Sequence, residues 1–107
     1  MEIHRILGRG FLEIVYKDAL ELELRKRQIV FTREKEYTIE YKETVLPHKF
    51  YADFVILNDI IVEVKAQKGI ADEHYAQVLN YLAVSKCKIG LIYNFGEPSL
   101  VIKRVIL

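Results

Sequence analysis

Hydrophobic and polar positions divide the chain into segments of two different periods. From residue 11 to about 27 the period is helical, with Leu12, Val15, Tyr16, Ala19 and Leu20 in one apolar stripe. The cationic last turn, Arg25-Lys26-Arg27, suits a helix C-terminus. From residue 29 to 41 the period becomes two, clearest where Tyr37, Ile39 and Tyr41 alternate with Thr38, Glu40 and Lys42. Lys42-Glu43-Thr44 predicts a turn, and Pro47 and His48 interrupt the next strand near its start, where proline is tolerated. Residues 50–57 and 60–66 then read as a hairpin around Asn58-Asp59, which Gln67-Lys68-Gly69 ends. A second helix is expected from residue 72 to about 86, with Tyr75, Val78, Leu79 and Leu82 on its core face. A buried strand (88–93), a turn (94–99) and a last strand (100–107) complete the chain. The order α-β-β-β-α-β-β predicts an α/β or α+β fold with a mixed central five-stranded sheet flanked by helices. If the strands on either side of the second helix are parallel, their crossover is right-handed. Ahead of all this, Ile3, Ile6 and Leu7 begin a helical stub that Gly8-Arg9-Gly10 stops. It is too short to be stable alone, so it is expected to be the remnant of a longer helix or to lean on a partner chain.

The hairpin carries the most informative chemistry. Asp53 opens an almost wholly apolar run and Glu63-Val64-Lys65 closes it. Charges set among Ile and Val need compensation, because burying one unpaired is very costly. Residues 63 and 65 leave a strand by the same face. Two carboxylates and a lysine thus converge on one point of a hydrophobic sheet, an arrangement suited to a magnesium site with a cation beside it. Geometry adds a condition. A strict two-residue turn at Asn58-Asp59 would pair Leu57 with Ile60 and Asp53 with Val64, sending Asp53 and Glu63 to opposite faces. A three-residue loop or a bulge is therefore predicted.

Composition narrows the class. At 107 residues, half of them hydrophobic, the chain is expected to be one small globular domain spanning 1–107. Lys and Arg total 16 against 15 acids, so there is no global basic field, and nucleic-acid contact would need a local patch. One cysteine, Cys87, excludes an internal disulfide framework and argues against thiolate metal sites. His4, His48 and His74 lack zinc-ligand spacing. With no signal peptide and no apolar run of membrane-spanning length, a soluble cytoplasmic protein is the expectation.

Asp53, nine residues, then Glu63-Val64-Lys65 resembles the signature of the PD-(D/E)XK phosphodiesterase superfamily. Gln77-Val78-Leu79-Asn80-Tyr81 is similar to the Q-x-x-x-Y helix motif of its RecB-like and Cas4-like branches. Gly10-Phe11-Leu12-Glu13-Ile14-Val15-Tyr16 resembles the pattern that names the GxxExxY family. The resemblance runs over essentially the whole chain and implies a restriction-endonuclease-like core and a metal-dependent nuclease, with DNA favoured over RNA. It implies Asp53, Glu63 and the Val64 carbonyl as ligands to Mg²⁺ or Mn²⁺, and Glu13 as an outer or second-metal carboxylate. Mg²⁺ takes such oxygens at roughly 2.0–2.1 Å and keeps several waters. Lys65 would sit beside the metal-bound water and stabilise developing negative charge. Gln77 and Tyr81, with His74 extending their helical face, could hold Lys65 or a substrate phosphate over the site. The resemblance also implies a longer helix ahead of Ile3, so the helix carrying Glu13 is expected to be less well packed.

Taken without the resemblance, Gln77 and Tyr81 are ordinary helix residues, and Gly10 is a helix-start glycine. Two other functions stay open at this point. One is a catalytically silent copy of the scaffold that binds nucleic acid or a protein. The other is a structural module, a dimer using its tyrosines and strand edges. A chain this short has little surface to grip duplex DNA, which favours a homodimer or one part of a larger complex.

Overall fold

The computed structural model describes residues 2–107. The chain runs α1 (Glu2–Leu7), α2 (Glu13–Lys26), β1 (Phe31–Tyr37), β2 (Glu40–Tyr41), β3 (Thr44–Val45), β4 (Phe50–Ile56), β5 (Ile60–Lys65), α3 (Asp72–Ser85), β6 (Ile89–Asn94) and β7 (Val101–Ile106). Five strands form one mixed sheet in the order β1-β4-β5-β6-β7, and β5 and β6 are its one parallel pair. The expected architecture is present. The segment read as one strand over 29–41 is split after Tyr37, and the small ribbon β2–β3 stands apart from the main sheet. Lys42 and Glu43 both take positive φ at its tip, closing the predicted turn.

Alternation on β5 divides the core into two layers. Val62 and Val64 face α2, where they pack with Tyr16, Leu20, Leu24, Phe54 and Phe95. Ile61 faces α3, where it joins Val78, Leu82, Ala52, Val55, Ile92 and Val105. Helices thus cover both faces of the sheet.

Three expectations about the N-terminus need correction. Helix α2 begins at Glu13, not at residue 11, because Gly8 and Gly10 adopt positive φ (68° and 115°) that interrupts helical backbone. Leu12 therefore lies outside the stripe, 76 % exposed, and the buried face is Tyr16, Leu20 and Leu24. That helix is well packed: Tyr16 stacks on Phe95 at 4.5 Å and its hydroxyl donates to the Gly8 carbonyl at 2.6 Å, tying down the glycine loop. The stub α1 leans on its own chain, with Ile3 in the α2-side core and His4 stacked on Phe95, its Nε2 2.9 Å from the Glu97 carbonyl.

Past the parallel strands, the loops after β5 and β6 are stitched together by Asn94, which is fully buried. Its Oδ1 accepts from the N–H groups of Gln67 and Gly96, and its Nδ2 donates to the carbonyls of Gln67 and Gly69. This crossing fixes the chain just beyond Lys65, whose carbonyl accepts from the Phe95 N–H at 2.8 Å. Gly96 lies so close that a Cβ there would stand 2.2–2.6 Å from the Gln67 backbone. Gly96→Ala is therefore expected to lower unfolding free energy by ~3 kcal/mol. An unshifted denaturation midpoint would show that the crossing is slack.

Candidate active site

The site is built by the β4–β5 hairpin. Its loop has three residues, Leu57-Asn58-Asp59, with Leu57 and Asn58 both at positive φ, so Ile56 pairs with Ile60 and Phe54 with Val62. This is the irregularity that the carboxylates require. Continuing the register sets Asp53 against Glu63. There the side chains take over from the ladder: the Asp53 N–H donates to Glu63 Oε2 at 2.7 Å, and the Val64 N–H donates to Asp53 Oδ2 at 2.8 Å. The alternation of β4 also breaks here, since Ala52 packs in the same layer as Val55 while Phe54 packs in the other. Across from Asp53 on β1, between the pairs Arg33–Phe54 and Lys35–Ala52, Glu34 holds a left-handed backbone at φ 54°. Such a conformation costs a non-glycine residue ~1–3 kcal/mol and is concentrated at functional sites.

Electrostatics follow from burial. Glu63 is only 4 % exposed. Burial, with the negative charge of Asp53 adding to it, pushes its carboxyl up to about 8, against the opposing pull of the Asp53 N–H, Lys65 and Lys17. Lys65 lies close enough to act on Glu63, yet forms no ion pair or side-chain hydrogen bond among the described residues. From α3, Tyr81 lies in the same field. Burial raises its phenol first, and the charges of Glu63 and Asp53 raise it further, while a hydrogen bond from Gln77 opposes them. The Tyr81 ring is held against Phe50 at 4.1 Å and nearly parallel.

The expected residues are not all brought together. Asp53, Glu63, Lys65 and Tyr81 share one neighbourhood, with Gln77 beside Tyr81 at the exposed rim. Glu13 stands exposed at the first position of α2. His74 does not extend the polar line, because its Nδ1 accepts the Ala71 N–H at 3.1 Å and caps α3. Two residues unnoticed in the sequence do join the site. Lys17 Nζ bonds Asp53 Oδ1 at 3.0 Å and pairs also with Glu34. Burial works against its charge, but the hydrogen bonds and attraction of Glu34 and Asp53 outweigh that and hold the ammonium above its ordinary value. Lys17 follows Glu13 by four residues, hence on the same helical flank, and that spacing was the available signal. Nothing in the sequence marks Glu34.

Among the described residues no three His, Cys, Asp or Glu side chains converge as a metal cage. Two carboxylates do, and Mg²⁺ is usually held by one or two carboxylates with waters completing the octahedron. Among the described residues, Glu63 Oε1 has no hydrogen-bond donor, and Asp53 Oδ1 is held only by Lys17. The all-oxygen donor set fits a hard divalent cation. An open groove of about 750 Å³ runs from Glu34 between α2 and β1, past Glu21, Arg25, Phe31 and Arg33.

A family model described as the PD-(D/E)XK nuclease superfamily matches residues 1–105. The chain belongs to the PD-(D/E)XK nuclease superfamily. Its members are usually hydrolytic nucleases, typically served by divalent metals such as Mg²⁺ or Mn²⁺. Among solved structures, the crystal structure of SSO0001 superposes with a TM-score of 0.69 at 21 % identity, covering 86 % of this chain and 48 % of that one. The chain spans about half the length of that protein, and at such identity the likeness concerns the fold alone. No curated protein matches. The PD-(D/E)XK assignment accords with the mixed five-stranded sheet and its flanking helices. No helix among the described residues is long and apolar enough to cross a membrane.

Proposed function

We propose that this chain is a Mg²⁺- or Mn²⁺-dependent nuclease of the GxxExxY branch, hydrolysing phosphodiester bonds in DNA in preference to RNA. The observation that carries the reading is the pair Asp53 and Glu63, locked reciprocally to each other's strand where the sheet ladder stops, with Lys65 unpaired beside them. Asp53, Glu63 and the Val64 carbonyl would hold the metal. A bound divalent ion supplies charge neutralisation at the phosphate and lowers the pKa of water. Lys65 orients the attacking water and stabilises charge that develops on the phosphoryl oxygens. Tyr81, positioned by Phe50 and by Gln77, borders the carboxylates and contacts the substrate phosphate. Glu13, on the flank of α2 that carries Lys17, serves as an outer carboxylate.

A cleavage assay with Mn²⁺ or Mg²⁺ on a panel of DNA and RNA substrates tests this, with Glu63→Gln run alongside to exclude a contaminating nuclease. Cleavage that falls at least ~100-fold in the variant is expected. Equal cleavage by both proteins, or none by either together with no metal-dependent rise in melting temperature, would overturn the proposal.

A further inference from the structure

Among the described residues, Lys17 is the one cation bonded directly to a proposed metal ligand. Its ammonium donates to Asp53 Oδ1 at 3.0 Å and pairs at the same time with Glu34. The other Asp53 oxygen, Oδ2, is committed to the Val64 N–H. A divalent cation bound through Asp53 would therefore approach the oxygen that Lys17 already holds. Two cations at one carboxylate oxygen repel strongly in a partly desolvated site. Lys17 cannot simply withdraw into water, since its side chain is only 12 % exposed. An ammonium left there without a partner would be costly. Glu34 removes that difficulty, for it already shares the ammonium and is aimed at it by a left-handed backbone in mid-strand. The strain at Glu34 has no other beneficiary among its contacts.

We infer that Lys17 and Glu34 form a counter-ion exchange device. Lys17 occupies Asp53 Oδ1 in the metal-free protein and passes wholly to Glu34 when a divalent cation takes that oxygen. Lys17 is a positioning residue in this scheme: it keeps the carboxylates in place without metal, and it sets how tightly metal binds. The inference rests on the metal-site reading above and goes beyond it by naming what the metal must displace.

Calorimetric titration of Mn²⁺ into the wild type, Lys17→Met, Glu34→Gln and the double variant tests it, with melting temperatures in chelator reporting that each protein is folded. Lys17→Met removes the competitor and is expected to bind Mn²⁺ on the order of tenfold more tightly. Glu34→Gln removes the place to which Lys17 retreats and is expected to bind roughly three- to tenfold more weakly. In the double variant the Glu34 effect should vanish, because Glu34 acts only through Lys17. Additive effects would mean that both residues act merely as distant charges, and that result overturns the exchange. Weaker or unchanged binding in Lys17→Met also overturns it, while leaving the metal site intact. No Mn²⁺ binding by any of the four proteins overturns the metal reading itself, and the exchange with it.

Discussion

Lys65→Ala is expected to cut phosphodiester hydrolysis by ~10²–10³-fold while leaving Mn²⁺ affinity within about twofold of wild type. Lys65 leaves β5 on the same face as Glu63, two residues on, and among the described residues makes no ion pair that would tie it to the fold. Its ammonium is thus free to serve the reaction. As a cation it contributes nothing favourable to holding Mg²⁺, so its loss should not weaken the metal. Its value lies in charge that appears only as the attacking water and phosphate react, and an interaction confined to the transition state appears in kcat. Paired cleavage kinetics and metal titration check this. Full turnover in Lys65→Ala would show that the assigned role is wrong. A parallel collapse of turnover and metal affinity would instead make Lys65 part of the architecture.

The second large effect is on stability. With its carboxyl pushed up to about 8 by burial and by Asp53, Glu63 keeps a proton in the metal-free native state that the unfolded chain releases near its ordinary value of 4.5. Between those values the native state binds more protons than the unfolded one. The stability this contributes is fully present below about 4.5 and is lost as pH rises through about 8. One proton corresponds to a slope of about 1.4 kcal/mol per pH unit. Glu63→Gln keeps the carbonyl acceptor for the Asp53 N–H and has nothing to ionise. The variant and the wild type should converge near pH 4 and differ by on the order of 4–5 kcal/mol, in favour of the variant, by pH 8. Asp53, Lys65, Lys17 and Tyr81 face the same carboxyl in both proteins, so the difference reports residue 63 together with its coupling to Asp53. Denaturant melts in chelator across this range check it, and parallel curves would refute it.

The sheet was legible because β1 and β6 alternate, β4 and β5 form an apolar run between turn signals, and the parallel crossover is spanned by an amphipathic helix. The hairpin shows how chemistry sharpened what propensity left open. Asn58-Asp59 alone suggests a two-residue turn, but the need to bring Asp53 and Glu63 to one face demanded a third loop residue, and Leu57 supplies it at φ 55°. Leu12 was misplaced because periodicity cannot see where Gly8 and Gly10 stop the chain from being helical. Lys17 stayed hidden for a different reason. A lysine on the flank of an amphipathic helix reads as solvated until it is known which strand end that flank meets. Glu34 could not have been found at all, since its role depends on a backbone conformation that glutamate does not favour. Asn94, read as the first residue of a turn, turned out to be the buried peg joining two loops.

The reciprocal bonds between Asp53 and Glu63 have a consequence for how this site can be dissected. Each carboxylate doubles as a missing rung of the sheet, one receiving the Val64 amide and the other the Asp53 amide. Alanine at either position therefore deletes a rung along with a ligand, and leaves a buried amide without an acceptor. Asparagine at 53 and glutamine at 63 preserve the rung and remove only the capacity to ionise. In this protein only such isosteric pairs separate what the acids do for the reaction from what they do for the strands.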